Sequence, residues 1–271
     1  MSFNFDNVKK GKRDHAKIFL FYGVPGIGKS TQCSLLPDAY FVPIEDGTGE
    51  LDVAQYQFDD GRVKLQDYGE VVGVLEMVYM AGIEAKTNGE KFPISNLVVD
   101  SVSALEPLIW DVVCAEGDDK GNVKKNIEDF GFGGGYKRAL KKWQHFFSML
   151  ETIRNDLNIN VWMIGHSQVK NVNVPDNEPY DRWIPELHRD AVGYLQKNCD
   201  GVLFANYKTI VRKIDGKMGQ KENKVINNES PRILYTNEMP AFMAKTRSNP
   251  PLPLEMPMDL NLLMSSWSKQ D

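Results

Sequence analysis

Ile18-Phe19-Leu20-Phe21-Tyr22, continuing into Gly23-Val24-Pro25-Gly26-Ile27-Gly28-Lys29-Ser30-Thr31, is the stretch that decides how this chain folds. Five apolar residues without polar alternation, ending at a glycine, describe a β-strand buried on both faces. The residues from Gly23 to Ser30 match the P-loop pattern G-x-x-x-x-G-K-[ST] at every fixed position. The glycines let the main chain curl so that successive N–H groups converge on phosphate oxygens, where a Cβ would block the curl or the approach. A helix starting near Lys29 adds the positive end of its dipole. Lys29 then reaches the β- and γ-phosphates, and the Ser30 hydroxyl ligates Mg²⁺. Residues 23–31 are the expected nucleotide cradle.

Composition narrows the rest. The chain has 271 residues, 42% hydrophobic and 25% charged, enough to bury a substantial core without staples. Lys+Arg 32 against Asp+Glu 37 leaves a net charge of −5, which excludes a polycation that coats nucleic acid. Any such contact must use local basic patches. Cys33, Cys114 and Cys199 are odd in number and far apart, with neither metal-ligand spacing nor a disulfide framework, as expected in a reducing compartment. No apolar run approaches the ~20 residues of a membrane span, and residues 1–15 are too polar for a signal peptide. A cytoplasmic protein without a membrane partner is expected.

Outward from the cradle, apolar runs alternate with helical patterns. Residues 40–44 read as a second strand, although Pro43 has no ladder N–H to give. Residues 68–84 and 102–114 carry helical spacing, with the strand Leu97-Val98-Val99 between them. Residues 115–135 are polar and glycine-rich. Ala139, Trp143, Phe146, Phe147, Leu150 and Ile153 mark one face of a long amphipathic helix. Residues 161–164 form a fourth strand, a polar stretch runs to about Asp190, and 202–204 open the last β region. Residues 213–230 read as an exposed hairpin or loop, with 233–235 as its return strand. Such alternation implies an α/β fold: a mostly parallel twisted sheet flanked by helices, with a C-terminal β-hairpin extension. The expected organisation is a basic arm at 1–14, one domain at 15–250, and an extension with a short helix at 251–271.

A P-loop needs a second acidic group for the metal. Leu97-Val98-Val99-Asp100 is an apolar strand ending in a carboxylate, the Walker B arrangement, so Asp100 joins Ser30 as a metal-site residue. The next residue is Ser101, not a glutamate, so a water-activating base must come from elsewhere. Glu45, directly after the second strand, is the candidate, because C-terminal strand ends line the ligand crevice in such sheets. Asp46 is its competitor.

These elements, in this order, resemble the RecA-like ATPase family. The likeness is carried by the P-loop, by Asp100-Ser101-Val102-Ser103-Ala104-Leu105, by Glu45, and by Val161-Trp162-Met163-Ile164-Gly165-His166. The chain is most similar to RecA-like ATP-binding proteins of bacteriophages, some of which act in single-strand annealing or recombination. It shares with them Tyr180-Asp181-Arg182 and a late Ala244-Lys245-Thr246-Arg247. The resemblance implies a RecA-like core and a γ-phosphate sensor at the end of the fourth strand. His166 takes that place here, with Gln168 in reserve. It also implies two mobile loops that bind single-stranded DNA, about residues 116–135 and 167–190. In the first, Lys124, Lys125, Lys137 and Arg138 suit phosphates, while Phe132 and Tyr136 can stack on bases. Lys245 and Arg247 are implied to reach a neighbouring subunit's ATP site.

The resulting expectation is a Mg²⁺-dependent ATP-binding protein, slow alone and stimulated by single-stranded DNA. It would serve phage recombination, annealing or replication in the host cytoplasm. It would self-associate as a ring or filament and work with a phage single-strand binding or recombination partner. Two alternatives stay open: a P-loop nucleotide or nucleoside kinase, and an ATP-gated DNA-binding or annealing module with negligible hydrolysis.

Overall fold

The computed structural model describes residues 8, 10, 11, 15–173, 178–208, 210–215, 221–226 and 231–268. The basic arm expected at 1–14 lies almost wholly outside the described residues. The apolar run at the start of the domain becomes β1 (Ile18–Gly23), and the cradle leads into α1 (Lys29–Ser34). β2 (Ala39–Pro43), β3 (Ala54–Gln55), α2 (Tyr68–Asn88), β4 (Asn96–Asp100) and α3 (Val102–Glu116) follow. A single 3-10 turn (Ile127–Phe130) precedes α4 (Gly134–Leu157). Then come β5 (Asn160–Val172), β6 (Tyr180–Pro185), α5 (Arg189–Asn198) and β7 (Gly201–Tyr207). The chain continues through β8 (Ile210–Asp215), β9 (Lys221–Ile226), β10 (Arg232–Tyr235), β11 (Lys245–Thr246), β12 (Glu255–Pro257) and α6 (Leu260–Ser268).

The main sheet runs in the order β12-β10-β7-β1-β5-β4-β2-β3. From β7 to β3 every pairing is parallel, and β10, β11 and β12 add antiparallel strands at the other side. The expected α/β fold is therefore present. Its unbroken apolar strands have a direct cause in the period-two geometry of a strand. Ile18, Leu20 and Tyr22 of β1 point to one face, where Leu75, Leu105, Trp143, Phe147 and Leu195 from α2 to α5 cover them. Phe19 and Phe21 point to the other, with Cys33 of α1 and Leu260 and Leu263 of α6. β4, β5 and β7 split the same way: Val99, Met163 and Phe204 lie on one side, and Val98, Trp162 and Leu203 on the other. At ~1.5–3 kcal/mol for each large buried side chain, neither face can be surrendered to water.

Pro43 fits because β3 pairs only with Tyr40 and Phe41 and ends before reaching it. Three regions differ from expectation. The polar stretch after the fourth strand continues as strand, since β5 pairs antiparallel with β6 from Ser167↔Pro185 to Val172↔Tyr180. Residues 233–235 do return antiparallel, but onto β7, while β8 and β9 pair with each other. The segment after residue 250 adds β12 to the sheet and buries Leu252, Met256, Leu260 and Leu263 in the core.

Candidate active site

Parallel pairing fixes where the strands end, and four of those ends form one row. Gly23 of β1 is in register with His166 of β5, Ile164 of β5 with Asp100 of β4, and Asp100 with Pro43 of β2. Glu45 follows β2 by two residues. The N–H groups of Ile44 and Glu45 both donate to the Asp100 carbonyl, at 2.7 and 3.0 Å, which pins the Glu45 backbone beside β4. Phosphate cradle, His166, Asp100 and Glu45 thus share the crevice at the C-terminal edge of the sheet.

In the cradle, Gly23 is required by close approach, because a Cβ there would lie 2.4 Å from the Ala205 carbonyl oxygen of β7. Gly28 has φ +96°, a left-handed conformation that favours glycine. Lys29 is only 6% exposed, and its Nζ donates to the carbonyls of Gly23 at 3.1 Å and Val24 at 3.2 Å. Burial pulls its pKa below the ordinary lysine value, while Asp100 and Glu45 nearby oppose the shift. Pro25, Gly26 and Thr31 are exposed, whereas Ile27 is buried beneath the loop.

The Ser30 hydroxyl donates to Asp100 Oδ2 at 2.6 Å. Burial pushes the Asp100 carboxyl above its usual range, partly countered by that hydrogen bond. One hydroxyl and one carboxylate, both hard oxygen donors, fit Mg²⁺, which binds through few protein ligands and fills its octahedron with water and phosphate. Ser30 and Asp100 are the residues that would hold it.

Glu45 is half-buried and held from two sides. The Ser101 hydroxyl donates to Glu45 Oε1. His166 Nε2 lies 3.1 and 3.2 Å from its two oxygens. Since a carboxylate only accepts, that ring nitrogen carries the proton. The His166 bond is the main reason that the Glu45 pKa is lowered, and Glu45 in turn raises His166. Asp46 is exposed. Of the two acidic residues after β2, Glu45 is the one whose side chain contacts the row of strand ends.

The other expected site residues are more scattered. Gln168 is occupied inside the β5–β6 hairpin, donating to the carbonyls of Pro185 and Leu187 at 3.2 and 3.4 Å. Around residues 116–135, Lys124 pairs with Asp118 at 2.9 Å and Arg138 pairs with Asp119. Lys125 and Lys137 are exposed, and Phe132, between two left-handed glycines, is fully exposed. Tyr136 stacks on His188 at 4.0 Å, so the two segments expected to bind DNA touch there. Lys245 and Arg247 lie at the opposite edge of the sheet, beside the start of β7. Arg247 approaches Asp200 at 3.8 Å and donates to the Lys197 carbonyl. Within one chain they do not meet the cradle.

Three contributors had no role in the sequence reading. Ser101 both caps α3, accepting from the Ala104 N–H at 3.2 Å, and holds Glu45. Ser103 accepts from the His166 N–H at 3.0 Å. Glu106, buried behind them, accepts from the His188 N–H at 3.0 and 2.8 Å, and burial pushes its pKa up to about 7. The serine after the Walker B aspartate was visible in the sequence as a departure from glutamate. Its partner was not.

Among the described residues no helix is long and apolar enough to cross a membrane. No curated protein matches the sequence. The AAA domain model AAA_24 matches residues 15–248, which takes in every strand from β1 to β11 and the whole row of strand ends. An AAA domain binds and hydrolyses ATP, in agreement with the P-loop and its facing carboxylates, and the chain belongs to this family of P-loop NTPases.

Proposed function

We propose that this chain is a Mg²⁺-dependent ATPase of the RecA-like kind, in which hydrolysis is coupled to single-stranded DNA and to self-association. The observation that carries the reading is the Glu45–His166 contact at the row of strand ends. A triphosphate lying in the cradle draws Lys29 from the Gly23 and Val24 carbonyls toward the β- and γ-oxygens. Mg²⁺, when bound, neutralises charge on those oxygens. Glu45, kept ionised by Ser101 and His166, orients a water in line with the γ-phosphate and accepts its proton as the P–O bond to ADP breaks. Products are ADP and inorganic phosphate.

His166 links this chemistry to the rest of the molecule. Its carbonyl accepts from the Glu186 N–H at 2.9 Å, at the base of the β5–β6 hairpin. Movement of Glu45 with the γ-phosphate therefore shifts the root of a hairpin that projects from the crevice. This supports His166 as the sensor and the hairpin, with exposed Phe132, Lys125 and Lys137, as the DNA-facing surface. Lys245 and Arg247, remote from their own cradle, suit a neighbour's site in a head-to-tail ring or filament. A role in phage annealing, recombination or replication, with a single-strand binding or recombination partner, follows from the resemblance.

The test is phosphate release with and without single-stranded DNA, in parallel with mass measurement under ATP and Mg²⁺. DNA-stimulated release together with ATP-dependent assembly is expected. ADP formation that needs a nucleoside monophosphate acceptor, with the phosphoryl group carried to that acceptor and no inorganic phosphate freed, would establish the kinase alternative instead. Against that alternative stands Glu45, a carboxylate set for water.

A further inference from the structure

Arg232 stands at the phosphate cradle from a part of the chain that no motif marks. Its NH1 lies 2.8 Å, and its Cζ 3.7 Å, from where a Cβ on Gly28 would be. The approach is built by strand register. β1 ends with Gly23 opposite Ala205 of β7, and Leu234 of β10 is opposite the same Ala205. Arg232 is opposite Tyr207, two residues further along. At ~3.3 Å per residue, its Cα stands ~6–7 Å beyond the end of β1, at the level of the loop. β10 is two strands from β1, ~10 Å across the sheet, a gap that an extended arginine spans. Its carbonyl accepts from the Met258 N–H at 3.1 Å, so β12 fixes the backbone from the far side.

The guanidinium has no carboxylate partner among the described residues, and the residue is exposed. It stands instead against a loop whose curled N–H groups and buried Lys29 already make it electropositive. An anion lying between these positive groups is stabilised by all of them at once. Gly28 matters for the same reason: any side chain there would meet the guanidinium.

Arg232 and the hydrolytic groups lie on opposite flanks of β1. His166, Asp100 and Glu45 follow β5, β4 and β2 on one side, and Arg232 comes from β7 and β10 on the other. The γ-phosphate belongs with the carboxylates, so the other flank faces the base-proximal end of the chain of phosphates. We propose that Arg232 binds the α-phosphate of a nucleoside di- or triphosphate, from the same chain that supplies the P-loop. It is a positioning residue and takes no part in proton transfer. The inference rests on the ATPase reading above.

Titration of a fluorescent ATP analogue and its ADP counterpart into wild type, R232A, R232Q and R232K tests this. Because both nucleotides carry the α-phosphate, R232A and R232Q should weaken both by the same factor, roughly tenfold or more. R232K should fall between them and wild type, since a point charge replaces the planar fork. Unchanged affinity in R232A and R232Q overturns the proposal, as does a loss confined to ATP, which would place the side chain at the γ end. Wild type that binds neither nucleotide overturns the ATPase reading itself, a result distinct from the other two.

Discussion

Glu45 and His166 are 121 residues apart in the chain, yet their side chains meet at 3.1 Å. β5 lies between β1 and β4, so His166, where β5 parts from its parallel neighbours, falls between the phosphate cradle and Asp100. Glu45 reaches it from the next strand over, held at its backbone by the Asp100 carbonyl. Sheet order thus brings the two side chains together.

Replacing the proposed base by an amide of the same shape isolates the chemical step. Glu45→Gln should lower single-turnover phosphate release by about 10²-fold or more, the range for general-base loss. ATP affinity should stay within about threefold of wild type. A variant that keeps its turnover would remove Glu45 as the base, whereas a wild type with turnover equally negligible would favour the ATP-gated binding module.

The same contact predicts a pH-dependent contribution to stability. His166 has a raised pKa in the folded protein, so its contribution is complete below the unfolded histidine value of about 6.5 and fades as pH rises through the folded value. Glu45 has a lowered pKa, so its contribution is complete above the unfolded value of about 4.3 and is lost as pH falls through the folded value. Urea unfolding of wild type and His166→Ala should therefore differ most between about pH 4.5 and 6.5 and converge toward pH 9. A difference that does not vary over that range would show that the pair carries no linked charge.

Action of Arg247 in a neighbour's site can be separated from a local role by mixing variants. Arg247→Ala and Lys29→Ala should each lack DNA-stimulated turnover, the first with ATP binding intact. Mixed together, they should recover part of it, because some interfaces then pair an intact cradle with an intact arginine. Two variants that co-assemble without any recovery would leave Arg247 as the partner of Asp200 and Lys197 only.

Phe132 packs against nothing that its loss would disturb. Phe132→Ala should leave stability within about 0.5 kcal/mol of wild type. It should weaken single-stranded DNA binding by about 1–3 kcal/mol, the usual worth of one base–aromatic stack. Fluorescence anisotropy on an oligonucleotide, beside a thermal melt, checks both, and unchanged binding removes Phe132 from the DNA surface.

How much could be read without coordinates depended on the distance between the residues involved. The cradle was legible because its geometry is made by eight consecutive residues, with glycine needed at Gly23 and Gly28 for reasons of backbone approach and φ. Asp100 was legible from the apolar strand before it, and the helix face of Trp143, Phe147 and Leu150 from its period. The outer half of β5, from Ser167, and β6 were not. Their polar residues suggested a loop, because Val169, Lys170, Asn171 and Asp181 face water and only Ile184 and Pro185, at the root of β6, are buried.

By itself the chain of residues determined an α/β domain with a phosphate-binding turn, an acidic group to face it, and strands that must be buried on both sides. Only the tertiary structure decided which strand ends are neighbours. It set Glu45 against His166 and Ser101, moved Lys245 and Arg247 to the far edge, and brought Arg232 to Gly28. Short-range patterns are governed by local backbone sterics and side-chain period. Register across a sheet is settled by how all the buried faces pack together, which no single segment encodes.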